Sequence, residues 1–339
     1  MNILLTSVGR RAYMVKYFKD ALGGSGEVHV CNSDDRTVAF HYADRSAVSP
    51  LIYDEDYVPF LLDYCKTHRI DVLLSLFDID LLVLARNKAR FAEIGTRVIV
   101  SDPETVEICN DKWKTYLFLC EHGFNVPKTY LSLPQVLLAL DRGEISYPII
   151  VKPRFGCGSI AMSVAEDEMA LLYYFRRNTR TIGRSYLKYE SAAVPDDEQI
   201  IYQECLGGEE HGVDIIHDLE GRAQSVIVKR KIAMRAGETD ISEIVCEPAI
   251  TETCERLGAL LRHPGNMDCD VFLVDGKPYV LEMNARFGGG YPFSRMGGCD
   301  LPRAIVRWCE GRPVDPDMLK ARVGVRGYKE LVITETTQK

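Results

Sequence analysis

The sequence predicts a chain that is α/β at its start and α+β afterwards: a doubly wound parallel sheet, then antiparallel sheets. Three observations carry this. Over the first hundred residues, short apolar runs alternate with stretches of helical apolar spacing. Near residue 103 the pattern changes. Later, "GVDIIHD" (212–218), "AQSVIVKRK" (223–231) and "DVFLVDGKPYVLEMN" (270–284) read as strands of an antiparallel sheet.

Taken in order, "NILLTS" (2–7) is a short buried strand. The lone Gly9 follows, then a helix "AYMVKYFKDAL" (12–22) whose apolar residues recur every three or four positions. "EVHVCN" (27–32) is a second strand, ending at Asp34 and Asp35; a helix "DYVPFLLDYCKTH" (56–68) precedes "DVLLSL" (71–76), and "RVIVSD" (97–102) closes the set. Strands separated by helices imply a parallel sheet. "SDPETVEICNDKWKTYLFLCEHG" (101–123) reads as one helix, with Pro103 in its first turn, Lys112 within it and Gly123 at its end. "YPIIVKP" (147–153) is a strand, "RFGCGS" (154–159) a glycine loop and "EMALLYYFRRNT" (168–179) a helix. "IIYQECL" (200–206) is a strand before the polar stretch "GGEEHG" (207–212). "SYLKYESAAVPDDEQ" (185–199) reads as a surface excursion, and "DLPRAIVRWCEG" (300–311) as a late helix.

A formal net charge of −8 argues against a broad nucleic-acid or anionic-membrane surface, though not against a local basic pocket. No apolar run approaches the ~20 residues of a membrane span, and the N-terminus places its arginines after its apolar residues, the reverse of a secretory signal. The expectation is a cytoplasmic protein. Its 11 cysteines are scattered singly with no CxxC pair, which argues against a disulfide framework or a zinc site.

The chemistry concentrates in "YVLEMNARFGGG" (279–290). Strand periodicity puts Val280, Glu282, Asn284 and Arg286 on one face and Leu281, Met283, Ala285 and Phe287 on the other. Asn is a poor strand former, and Gly288, Gly289 and Gly290 allow a close backbone approach. Asp270 lies on the preceding strand, across a turn at Asp275 and Gly276. Two carboxylates and an amide oxygen are a hard donor set that suits Mg²⁺. A two-residue turn alone would place Asp270 and Glu282 on opposite faces, so a bulge or an odd-length loop is expected.

Asp270, "LEMNAR" and the following glycines resemble the metal-binding signature of the ATP-grasp superfamily. That resemblance implies a metal set of Asp270, Glu282 and Asn284 holding two Mg²⁺ ions, with Mn²⁺ as a substitute, and Arg286 facing the transferred phosphoryl group. It implies Lys152 and the loop of Gly156, Gly158 and Ser159 against the phosphates of ATP; taken alone, Lys152 is equally a strand-end lysine reaching to solvent. Cys157 departs mildly from the family's small residue there. Lys112 matches the family's first lysine, with Lys114 as the neighbouring alternative. "IYQECLGGEEHGVDI" (201–215) resembles the adenine hinge, with Gln203, Glu204 and Leu206 beside the base and Glu210, or Glu209 one register away, on the ribose. Asp214 supports the site, and His211 is a surface or supporting group. Arg230 and Arg235, in a basic run that is otherwise a solvated strand edge, are candidates to face a phosphate or a carboxylate. "RFGGGYPFSRMGG" (286–298) is expected to line the acceptor pocket, with Arg295 either a carboxylate partner or a surface group.

The resemblance is to the stand-alone, carbamoyl-phosphate-synthase-like, carboxylate–amine ligase group. It implies a Rossmann-like domain over 1–105, ATP-grasp subdomains over 106–200 and 201–312, and a tail over 313–339. The expected reaction joins a small-molecule carboxylate to an amine, one of them an amino acid or peptide, through an acyl phosphate. A homodimer is the commonest assembly. Phosphorylation of a small carboxylate, an inactive ATP-binding regulator and a dinucleotide-dependent oxidoreductase stay open; the last lacks GxGxxG, since Gly9 stands alone before Arg10 and Arg11.

Overall fold

Five parallel strands form the N-terminal sheet of the computed structural model, which describes residues 1–156 and 158–335; Cys157 lies outside the described residues. The order of elements is β1 (Asn2–Thr6), α1 (Ala12–Leu22), β2 (Val28–Asn32), β3 (Arg45–Val48), α2 (Tyr57–Thr67), β4 (Ile70–Ser75), α3 (Asp78–Glu93) and β5 (Arg97–Val98). The strand order is β3-β2-β1-β4-β5, with all pairs parallel. β1 is central and its residues 3–6 are buried, as expected of a strand covered on both faces.

The stretch expected to be one helix is two: α4 (Pro103–Asn110) and α5 (Lys112–Glu121). Asp111 breaks it. Its extended backbone cannot continue α4, and its carboxylate accepts from the N–H groups of Trp113 (3.0 Å) and Lys114 (3.3 Å). Lys112 therefore opens a helix rather than sitting within one.

A second sheet, ordered β6-β9-β7-β8, is antiparallel. Its elements are β6 (Thr129–Tyr130), α6 (Leu133–Asp141), β7 (Ile149–Pro153), β8 (Ser163–Ala165), α7 (Glu168–Arg184), α8 (Leu187–Ser191) and β9 (Ile200–Glu204). It has a core of its own, centred on Val151, Leu171, Ile182 and Tyr202. The supposed excursion at 185–199 is partly core: Leu187 and Ser191 are buried.

The third sheet comprises β10 (Glu209–His217), β11 (Ala223–Arg235), β12 (Glu238–Val245), α9 (Pro248–Leu261), β13 (Gly265–Val274), β14 (Lys277–Asn284), α10 (Tyr291–Gly297), α11 (Leu301–Cys309) and β15 (Arg326–Tyr328). Its order is β14-β13-β10-β11-β12-β15, again antiparallel. The tail thus supplies an edge strand. The N-terminal and third sheets share two apolar cores: one joins Leu4 and Leu73 to Val213 and Met283, the other joins Phe18 to Phe287 and Tyr291. The described cysteines are all free. Among the described residues no helix is long and apolar enough to cross a membrane.

Candidate active site

Lys152 ends its strand pointing inward, not to solvent. Its Nζ donates to Gln203 Oε1 on the adjacent β9 (2.8 Å), and Gln203 Nε2 donates to Thr129 Oγ1 (2.9 Å). Burial pulls the Lys152 ammonium down to about 8, with Glu282 opposing that pull. Lys112 Nζ donates to the Gly156 carbonyl and lies 4.0 Å from Glu282 Oε2. Gly156 has φ +102°, and a Cβ there would collide with the Leu187 side chain, so α8 props the glycine loop from behind. These lysines, the loop and the Glu204–Leu206 rim enclose a cavity of about 480 Å³. Ile150, Met162, Phe272 and Leu281 give it apolar walls. An apolar slot ending in two ammonium groups has the chemistry that a planar base with a polyphosphate tail requires.

Asp270 lies directly opposite Glu282 across the β13–β14 hairpin, and Asp268 opposite Asn284. The turn is the two-residue Asp275-Gly276 connection, and the expected irregularity falls between Asp270 and Val271. Leu281 is the extra residue. It re-phases the strand, so that Val280 packs in the core with Met283 while Leu281 joins Glu282 at the cavity. The simple alternation expected for Val280 and Leu281 is therefore corrected.

Lys231 Nζ bridges Glu210 Oε1 (2.6 Å) and Asp270 Oδ1 (2.7 Å). Burial pushes the Asp270 carboxyl up to about 7; Lys231 opposes this, while Asp268, Glu210 and Glu282 add to it. Burial also works against the Glu282 charge, but Lys112, Lys152 and Arg286 outweigh it and hold the carboxyl below its ordinary range. Among the described residues no group of three or more His, Cys, Asp or Glu is placed to hold a metal ion. The candidate set is instead two carboxylates and an amide. Asn284 Nδ2 faces Asp268 Oδ2 (3.5 Å), which leaves the amide oxygen for a cation. These donors fit Mg²⁺, which takes few protein ligands and completes its shell with water and phosphate oxygens.

A second cavity, of about 420 Å³, meets the first at Gly158, Lys231, Asp270 and Glu282. Arg286 lines it. Its Nε and Nη2 donate to Asp78 Oδ2 (3.1 and 3.0 Å), and its Nη1 donates to Asp268 Oδ2 (3.0 Å). Lys229 is buried, bonds Asp214 and donates to Ser294 Oγ (3.2 Å). Asp214 thus holds a cavity-lining cation rather than reaching the cavity itself. A Cβ on Gly288 would run into the Asp268 carboxylate, so that glycine lets the backbone pass close to a side chain of the same site. Ser7, Arg10 and Arg11 arrive from the N-terminal sheet, and Tyr186 from the supposed excursion.

Of the sequence candidates, Lys112, Lys152, Gly156, Gly158, Ser159, Gln203, Glu204, Leu206, Glu210, Asp270 and Glu282 line the first cavity, and Asn284 and Arg286 line the second. Arg230 and Arg235 do not join them. β11 alternation sends Lys229 and Lys231 inward and Arg230 outward, to Glu243 (3.2 Å) and Glu209 (3.6 Å). Two register shifts between Lys231 and Met234 then turn the strand, so that Met234 meets the cavity and Arg235 pairs with Asp240 (2.5 Å). Glu209 faces outward with Arg230, which leaves Glu210 as the inward member of that pair. Arg295 pairs with Asp300 (3.2 Å), and Lys114 with Glu107 (2.8 Å). His211 is buried, not on the surface, and burial lowers its pKa. Asp78, Asp268, Lys229 and Lys231 are cavity or cavity-supporting groups that the sequence reading did not select. The "DCD" spacing put Asp268 on the face of Asp270, and β11 alternation paired Lys229 with Lys231; Asp78 carried no comparable signal.

Residues 3–99 match the PylC-like N-terminal domain, and residues 109–290 match the ATP-grasp domain. The chain belongs to the ATP-grasp family. Carbamoyl phosphate synthase large chains of Methanosarcina acetivorans and Corynebacterium glutamicum are 23% and 24% identical to it over 303 and 292 residues. Each alignment covers 84% of this chain but only 26% and 25% of the relative, so the chain spans about a quarter of the length of these curated relatives. Among solved structures, the Campylobacter jejuni biotin carboxylase–β,γ-ATP complex matches with TM-score 0.71 and 19% identity, over 94% of this chain and 73% of that one. The ADP complex of Staphylococcus aureus N5-carboxyaminoimidazole synthetase matches with TM-score 0.70 and 13% identity, over 93% and 78%. An L-amino acid ligase from Bacillus licheniformis matches with TM-score 0.66 and 18% identity, over 95% and 77%. These likenesses show a shared ATP-grasp fold.

Proposed function

We propose that the chain is an ATP-dependent carboxylate–amine ligase that works through an acyl phosphate and releases ADP and phosphate. One observation carries the reading: an apolar, lysine-ended cavity and a polar, cation-lined cavity meet at Asp270 and Glu282. A nucleotide in the first puts its terminal phosphate at the mouth of the second. There the base lies against the Glu204–Leu206 rim, Glu210 accepts from ribose hydroxyls, and Lys112 and Lys152 spread positive charge along the phosphates. Asp270, Glu282 and Asn284 would hold Mg²⁺, which supplies Lewis-acid neutralisation of phosphate charge.

The substrate carboxylate, an amino acid or peptide group on this reading, enters the second cavity and attacks the γ-phosphorus. ADP leaves and a mixed carboxylic–phosphoric anhydride forms. The amine then adds to the acyl carbon, loses a proton and expels phosphate. Arg286 faces the charge that develops on phosphoryl and tetrahedral oxygens, an effect worth ~3 kcal/mol for one donor. The protein's contribution is position and charge, with no covalent nucleophile.

A phosphate-release screen over carboxylates and amines, with Glu282→Gln as the blank, tests this. Release that needs both an acid and an amine is expected. ATP binding without substrate-dependent ADP release overturns it and leaves a nucleotide-binding regulator. The similarity to carbamoyl phosphate synthase large chains favours a second reading, phosphorylation of a small carboxylate alone; release with one acid and no amine separates the two.

A further inference from the structure

We infer that Arg10 and Arg11 dock a second anionic group of the substrate, a carboxylate or a phosphate, away from its reacting carboxylate. The position of the reacting end rests on the ligase reading above; the anion site itself does not. In the second cavity each of the deeper cations has a carboxylate partner: Lys229 has Asp214, Lys231 has Glu210 and Asp270, and Arg286 has Asp78 and Asp268. Arg10 and Arg11 line the same cavity, and among the described residues neither has a carboxylate oxygen within 4.0 Å. Glu238, the acid on that wall, is paired with Lys329 (3.1 Å) and also feels the charges of Arg11 and Arg10, which, against the pull of burial, help hold its carboxyl below the ordinary range, without contacting either.

Arg11 is held by carbonyl groups rather than by a contacting carboxylate. Its Nη1 donates to the carbonyls of Leu76 (2.7 Å) and Phe287 (3.0 Å), which fix the guanidinium without a carboxylate in contact. Phe287 follows Arg286 in the chain, so this contact sets Arg11 beside the segment that carries the phosphoryl-facing arginine. The turn that presents both arginines is built at a cost. Ser7 has φ +52°, which a side chain rarely adopts. The buried Asp80 enforces it, accepting from Thr6 Oγ1 (2.7 Å) and Ser7 Oγ (2.9 Å). Two guanidinium groups that line a cavity with no carboxylate in contact, in a chain of net charge −8, are a recognition element for an anion, and their forks suit carboxylate and phosphate alike. The cavity volume limits the ligand to metabolite size. The substrate class is therefore a diacid, an acidic amino acid or a phosphorylated acid rather than a simple monoacid.

Calorimetric titration of the full chain, with ADP and Mg²⁺ present, tests this with butanoate, succinate and 3-phosphonopropanoate as probes. The dianions should bind about tenfold or more tightly than butanoate, the gain of one charge-assisted pair. Which of the two dianions binds more tightly assigns the anion as carboxylate or phosphate. Arg11→Gln risks the fold, because Arg11 bonds two carbonyls. Arg10→Glu, at an exposed position, should abolish the dianion advantage and leave ADP affinity within about twofold. Equal binding of monoacid and dianions, no dianion binding, or an advantage that survives Arg10→Glu would each overturn the assignment. Because the readout is binding, a chain that releases no phosphate with any acid sinks the ligase reading and still leaves this question decided.

Discussion

Lys152 holds its ammonium among Gln203, Glu282 and Lys112, where burial brings its pKa to about 8 against 10.5 for an ordinary lysine. In the unfolded chain the ordinary value returns. Between about pH 8 and 10.5 the unfolded state therefore binds the extra proton, and stability rises with pH across that window by about 3 kcal/mol; below pH 8 both states are charged and the slope vanishes. Urea unfolding of the parent and Lys152→Met at pH 7 and pH 10 should show the rise in the parent only. Nucleotide affinity should run the other way: the charged form is the one that attracts phosphate, so ATP binding weakens as pH rises through 8. Lys152→Arg should remove that bend in a plot of Kd against pH. Arg286 is a different case, since its guanidinium already spans Asp78 and Asp268. Arg286→Lys keeps a charge but loses the fork. We expect kcat to fall about 100-fold while ATP affinity barely moves; a matching loss in both would show that the residue binds nucleotide instead.

At the scale of elements, the break between α4 and α5 decides where Lys112 points. Asp111 caps α5 and also takes Arg154 bidentately, at 2.8 and 2.7 Å, with both side chains nearly buried. Asp111→Ala removes a cap worth ~1 kcal/mol and takes one of two carboxylates from the buried Arg154, which keeps Glu198 (3.0 Å), so the further loss falls below the cost, on the order of 3–5 kcal/mol, of a buried charge left with no partner. Thermal unfolding should show that loss, and ATP affinity should fall as Lys112 loses its anchor. Asp111→Asn keeps the cap and should recover part of both. The sequence reading missed this break although its cap on Trp113 and Lys114 is local; only the contact that anchors Asp111, to Arg154, lies 43 residues away and out of reach of short-range pattern. Elsewhere local causes were legible: α1 occupies the stretch whose apolar spacing marked it, and the Asp275-Gly276 turn fixed the hairpin and forced the expectation of an irregularity. The position of the bulge at Leu281, the turning of β11 that sends Arg235 outward and the inward faces of Lys229 and Lys231 depend on pairing with neighbouring strands. Short-range pattern does not encode such pairing.

Taken as a whole, the molecule is two sheets sharing cores and a third with its own; the second cavity lies where all three units supply residues, and the first between the second and third sheets. Polar contacts tie the distant segments together, among them Arg286 to Asp78, Arg11 to Phe287, and His263 to Ser101. The last is buried, with His263 Nδ1 2.7 Å from Ser101 Oγ. Burial brings the His263 pKa down to about 3, with His217 adding to the effect, so the folded protein keeps the ring neutral where a free histidine, at 6.5, would take a proton. Below pH 6.5 the unfolded chain binds that proton and the folded one does not. Stability from this group is therefore complete above 6.5 and drains away as pH falls towards 3; at pH 5 the loss is about 2 kcal/mol. Urea unfolding of the parent at pH 7.5, 6 and 5 should show a falling midpoint, and His263→Gln should make the fall shallower, the rest coming from His29, His211 and His217, which burial also lowers, while reducing the value at pH 7.5 through imperfect packing. The ring joins the start of β13, which carries Asp268 and Asp270, to Ser101 beside the N-terminal sheet. Loosening there should therefore weaken ATP binding over the same pH range in the parent. If nucleotide affinity holds steady while the unfolding midpoint falls, the contact supports the fold alone and does not brace the cleft.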